Sequence, residues 1–171
     1  TGQKKFWFKD WLGYQIKIGN ATIDIDQTDV VHFENTEKSK LTPKVYDQMN
    51  EKGIFSFYHI THIGNLVNIL KHGVLSHKEA RNGLLSVDIA NSAVNTRRNR
   101  DEYYFMRNIQ DYVPLYFNPK NPMFYTISEN KDIIILEIKK DIIKKTNSIF
   151  SDGNAASKDS KLYKDLSFFN N

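Results

Sequence analysis

Three groups of residues in this 171-residue chain have the types and spacing for chemistry. The first is the basic run Arg97-Arg98-Asn99-Arg100-Asp101, in which a planar, permanently charged guanidinium can grip a diphosphate through paired hydrogen bonds. The same run would also suit a solvated helix end, where cations offset the negative end of the dipole. The second is His59 with His62 in Tyr58-His59-Ile60-Thr61-His62. A three-residue spacing faces both rings one way only on a helix, and this stretch reads as strand with no third ligand nearby, so no metal site is expected. A histidine ending a buried strand more often hydrogen-bonds backbone or ligand. The third is the segment 111–125, where three prolines sit among aromatics that would either fill the core or stack on a base.

Composition narrows the options. The chain has no cysteine, which excludes disulfides, thiolate metal sites and thiol nucleophiles. No glycine-rich phosphate loop of either common type is present, so a dinucleotide would need a different kind of site. The net charge is +4; residues 1–57 carry 8 basic and 8 acidic side chains, leaving 16 basic against 12 acidic in residues 58–171. That excess in the second part is compatible with a polyanionic partner. No apolar run approaches the ~20 residues a membrane span requires and no signal peptide opens the chain, so the expectation is a cytoplasmic protein without membrane association.

Several elements must position these residues. Alternation in Tyr14, Ile16, Ile18 and in Ile23, Ile25 around Gly19-Asn20 predicts a β-hairpin. Thr42-Pro43 before Val45, Tyr46 and Met49 predicts a short helix stopped at Gly53. Residues 54–60 read as a buried strand, followed by a helix capped by Asn65, with Leu66, Ile69 and Leu70 on one face and Gly73 at its end. A helix is expected over 86–98 and strands over 113–117, 123–127 and 133–138, the last near-continuously apolar and so central. Weaker helices are expected at 141–145 and 160–166. The fold class is α+β, divided into an N-terminal hairpin-plus-helix extension (1–53) and a main domain (54–171).

The motifs Tyr58 to Leu66, Gly73-Val74-Leu75-Ser76, Arg97-Arg98-Asn99-Arg100, Asp111 to Tyr125 and Phe150-Ser151-Asp152-Gly153-Asn154-Ala155-Ala156, in this order and spacing, resemble the DarT toxins of DarT/DarG toxin–antitoxin systems. The resemblance covers about residues 56–168. It implies an ADP-ribosyltransferase fold, two small mixed sheets around an NAD cleft, and transfer of ADP-ribose from NAD to a base of single-stranded DNA with release of nicotinamide. By motif position it assigns His59, Ile60, Thr61, Asn68, Ser76 and Arg98 to NAD, Arg98 also as the catalytic residue. It further implies a DarG-like macrodomain antitoxin as partner. RNA or protein as acceptor, or an inactive module that binds NAD or nucleic acid, are the other readings of the same motifs. The glutamate that members of this family use near the C-terminus has no counterpart, Glu137 being the last glutamate. The expectation is therefore a main domain incomplete at its C-terminus, binding NAD with little or no turnover.

Overall fold

The computed structural model describes residues 5–7, 14–18, 21–25, 43–144 and 147–170. Its centre is a three-stranded sheet. Strand β4 (Ser56–His62) runs antiparallel to β5 (Ile133–Lys139), with Ser56 opposite Lys139 and His62 opposite Ile133. On the other side of β5, the short strand β1 (Lys5–Trp7) pairs in parallel. The apolar run 133–138 is thus the middle strand, as its composition requires. The strands β2 (Tyr14–Ile18) and β3 (Ala21–Ile25) pair as the expected hairpin, with Ile18 opposite Ala21; the turn at 19–20 lies outside the described residues. A third pairing joins β6 (Phe150–Ser151) to β7 (Leu162–Tyr163). The class is α+β, built on one mixed sheet and two strand pairs among the described residues.

Helix α1 (Pro43–Glu51) begins on a proline and ends before Gly53 at φ +65°, a conformation glycine adopts at low cost. It does not stand apart from the rest. Val45 and Met49 are buried in one cluster with Phe57, Ile143, Phe150 and Leu166. Buried Lys140 donates to the Asn50 side chain and lies 4.3 Å from the Tyr46 ring centroid. The division drawn at residue 53 therefore does not coincide with a gap in packing. A second cluster joins Leu66, Ile134 and Leu136, packed against Ile63, Ile69, Leu70 and Val74. Helix α2 (Leu66–His72) covers this face of the sheet and ends at Gly73, φ +80°.

The remaining expectations fail in informative ways. Strand β4 starts two residues later than read, at Ser56. Asn65 ends a three-ten turn (Ile63–Asn65) and makes no side-chain cap to α2. The helix expected over 86–98 is only α4 (Ser92–Arg98), because Asn91 caps it by accepting from Val94 N and residues 86–87 bond elsewhere. Residues 122–127 form helix α5 (Pro122–Ile127), not a strand: Asn121 accepts from Phe124 N and Pro122 fixes the first turn, a start signal that outweighs the strand preference of the aromatics. Residues 113–117 reach β4 at a single point, Tyr116 exchanging two 2.8 Å backbone bonds with Tyr58. Residues 140–144 make a three-ten turn, and 160–166 contain β7 where a helix was expected. A four-residue helix α3 (His77–Ala80) completes the set, and no helix among the described residues is long and apolar enough to cross a membrane.

Met49 has no exposed surface. Met49→Ala should cost about 2–5 kcal/mol in urea unfolding, as for a buried side chain truncated in a shared core. A loss below about 0.5 kcal/mol would show instead that α1 is a separable appendage.

Candidate functional site

Strand β4 brings the first candidates together. Phe55 O and Ile63 N bond to β5-side partners Lys140 and Asp132 at either end of the ladder, so the odd residues 55–63 direct their backbone groups toward β5. The even ones face the opposite edge, where Tyr58 is satisfied by Tyr116. Ile60 N–H and C=O point to that same edge two residues on, and no backbone partner meets them among the described residues. The Ile60 side chain is buried, which leaves its backbone as the part that can meet a ligand.

His59 is held by the segment after Tyr112: its Nδ1 lies 3.0 Å from the Pro114 carbonyl. A carbonyl only accepts, so Nδ1 carries the hydrogen. Burial pushes the imidazole below the ordinary histidine range; the Pro114 bond opposes this, and the nearby positive charge of Arg98 adds to it. The ring is accordingly neutral near pH 7, with Nε2 an acceptor.

Arg98 closes α4. Arg97 beside it is exposed, while Arg98 turns inward, since adjacent helical side chains diverge by about 100°. Its charge reaches His59 and also Tyr116, whose hydroxyl burial raises and Arg98 lowers in pKa. Arg98 Nε is buried without a hydrogen-bond partner among the described residues. An unpaired buried donor costs about 1–3 kcal/mol, and an anionic ligand oxygen would remove that cost. Arg100 differs: its Nη2 donates to Ala155 O at 3.1 Å and Ser157 O at 3.3 Å, tying the end of α4 to the segment after β6.

The other three candidates hold structure. Thr61 Oγ1 accepts from Asn65. Asn68 Nδ2 donates to Leu84 O at 2.8 Å. Ser76, buried, caps α3 in a reciprocal box with Glu79. His59, Ile60 and Arg98 thus gather at one place, whereas the Asn68 and Ser76 side chains are engaged in bracing residues 76–88.

Two structural roles escaped the sequence reading. Asn65 uses its whole amide: Nδ2 donates to Thr61 Oγ1 and Val87 O, and Oδ1 accepts from Ser86 N and Val87 N. Glu102, 2% exposed, accepts from the N–H groups of Tyr104, Phe105 and Arg107 and from Tyr112 Oη. Burial pushes its carboxyl up, and these donors outweigh that, leaving it below the usual carboxylate range. A lone glutamate among aromatics was its only sequence signal. No cluster of three or more His, Asp or Glu able to hold a metal occurs among the described residues.

Residues 58–171 match the family model described as ssDNA thymidine ADP-ribosyltransferase, DarT. The chain belongs to the DarT family. A DNA ADP-ribosyl transferase–DNA ADP-ribosyl glycohydrolase fusion protein of Thermosipho africanus is 33% identical over 112 residues, 63% of this chain and 29% of that protein. A DNA ADP-ribosyl transferase of Thermus sp. is 41% identical over 73 residues, 41% of this chain and 34% of that one. This chain therefore spans about a third of the length of the curated relatives it matches. Two DarT structures share the fold: Thermosipho africanus DarTG in complex with ADP-ribose, at TM-score 0.55 and 32% identity over 64% of this chain and 30% of that one, and Thermus sp. DarT in complex with ADP-ribosylated ssDNA, at 0.56 and 27% over 66% and 59%. The fold is ADP-ribosyltransferase-like.

Arg98→Ala should weaken NAD binding at least ~10-fold by calorimetry, as expected when a charge-assisted hydrogen bond is removed. Arg98→Lys should restore it only in part. Arg97→Ala should leave it unchanged. Equal affinity for Arg98→Ala and the parent chain, both folded by thermal melt, would return the run to a solvated helix end.

Proposed function

We propose that this chain binds NAD and takes part in ADP-ribosylation of a thymidine base in single-stranded DNA. The observation that carries this reading is the DarT family match over 58–171, the span that contains His59, Ile60 and Arg98. NAD is the substrate that supplies ADP-ribose, with nicotinamide as leaving group. Arg98 is the residue to hold its diphosphate, and the buried, partnerless Nε supports that role. Neutral His59, with Nε2 accepting, suits a ribose hydroxyl. The open Ile60 N–H and C=O match the acceptor and donor of a carboxamide.

Breaking a glycosidic bond to nicotinamide develops positive charge on the ribose, which a nearby carboxylate would stabilise. Neither His59 nor Arg98 can supply it. Glu79 and Glu102 are engaged in structural hydrogen bonds, Glu129 is exposed, and Glu137 sits on β5 opposite Tyr58. For the described residues, the proposal therefore expects NAD binding with slow turnover. A glycohydrolase of the DarG type, reversing the modification, belongs to the same reading; the Thermosipho africanus relative joins both activities in one protein.

The test combines calorimetric NAD titration with mass spectrometry of a thymidine-containing single strand after incubation with NAD and the chain. Saturable NAD binding with slow or undetectable gain of ADP-ribose mass is expected. Rapid nicotinamide release would show that another residue supplies the negative charge. Absence of NAD binding would overturn the reading, and adducts on RNA or protein in place of DNA would change its acceptor.

A further inference from the structure

The loop from Asp101 to Asn108 displays apolar surface that the core does not use: Tyr103 is 66% exposed and Met106 79%. The loop is nevertheless braced. Glu102 gathers three of its backbone N–H groups from below, and Glu102 N donates to Arg107 O at 2.8 Å. Asn108 ties the two ends by donating to Asn99 and Asp101, while Ile109 N reaches Arg100 O at 2.9 Å. Met106 sits at φ +54°, a conformation that costs a non-glycine residue about 1–2 kcal/mol and needs such bracing.

The aromatic part is equally fixed. Tyr103 and Tyr104 rings lie 4.1 Å apart, tilted by 34°, and both hydroxyls donate to the Leu162 carbonyl, at 3.4 and 3.1 Å. Their polar ends are thereby pinned while Tyr103 remains exposed. Cations flank the surface: Lys164 Nζ lies 5.2 Å from the Tyr104 ring and 4.9 Å from the Phe105 ring, and Arg107 is exposed next to Met106. The acidic neighbours have partners, Asp101 with Asn108 and Asp165 with Lys44 and Ser167 N. A rigid aromatic surface rimmed by cations fits an unstacked base and its phosphates, because every base offers a face and each phosphate a charge.

We propose that Tyr103 and Met106 form a stacking platform for an unpaired base of single-stranded DNA, with Arg107 and Lys164 meeting the adjacent phosphates. This rests on the reading of single-stranded DNA as acceptor and adds the surface that holds it. The loop follows α4, which ends at Arg98, by two residues in the chain.

Fluorescence anisotropy of the full chain with a labelled oligothymidylate of about 12 nucleotides, and with a duplex of equal length, tests this. Tyr103→Ser and Met106→Ser should each weaken single-strand binding ~5–10-fold while remaining folded by thermal melt, and Val67→Ser, exposed on α2, should have no effect. Arg107→Ala should weaken binding and flatten its salt dependence. Unchanged affinity in both platform variants would overturn the platform and leave the transferase reading standing. Equal losses on duplex and single strand would also overturn it, in favour of a charged patch. If the parent chain binds no oligothymidylate, the DNA acceptor reading itself fails along with the platform.

Discussion

Everything in this molecule hangs on the antiparallel pairing of β4 with β5. Seven residue pairs, from Ser56 opposite Lys139 to His62 opposite Ile133, fix which backbone groups of β4 are consumed within the sheet and which are left at its edge. Register has a two-residue period, so a slip by one would send the Ile60 N–H and C=O into the ladder and turn His59 away from Pro114. The same register places Phe57, His59 and Thr61 on one face with Ile138, Leu136 and Ile134 opposite them. Burial of Ile134 and Leu136 under α2, and of Phe57 against α1, is what makes that register the stable one.

Around the sheet, the short elements are held by buried polar side chains rather than by extended secondary structure. Asn65 makes four hydrogen bonds, three of them to Ser86 and Val87, Glu102 collects four donors to shape 102–112, and Arg100 clamps the segment after β6. Each works because a buried polar group is costly unless fully paired, so the loop that satisfies it is held in one conformation. Arg98 stands out against this pattern. Its buried Nε is left unpaired in a fold that otherwise satisfies such groups with care, and Arg100 Nε, the other such atom among the described residues, belongs to a side chain already anchored through Nη2.

The sequence disclosed what local rules govern. The alternation of the β2–β3 hairpin, the Pro43 start and Gly53 stop of α1, the apolar face of α2 and the run in β5 all follow from periodicity and capping. What was hidden depends on distant partners. Residues 113–117 fail as a strand because the Pro114 carbonyl serves His59, 55 residues away, and only Tyr116 reaches β4. Asn65 looked like a cap and is a hub for a loop 21 and 22 residues on. The aromatics of 111–125 read as either core or stacking surface, and the fold divides them: Phe117 packs against the core while Tyr125 is exposed, as is Tyr103 outside the segment. His59 and Arg98 were found by motif; that they share one electrostatic environment required the fold.

The central claim is that the β4 strand end and the α4 terminus together form the NAD site. Hydrogen–deuterium exchange of the chain with and without saturating NAD tests it most directly, because it reads each segment separately without requiring turnover. Residues 58–62 and 96–101 should gain protection together, with β2 and β3 unaffected. Protection confined to other segments, or no change at either of these two despite NAD binding, would contradict the account.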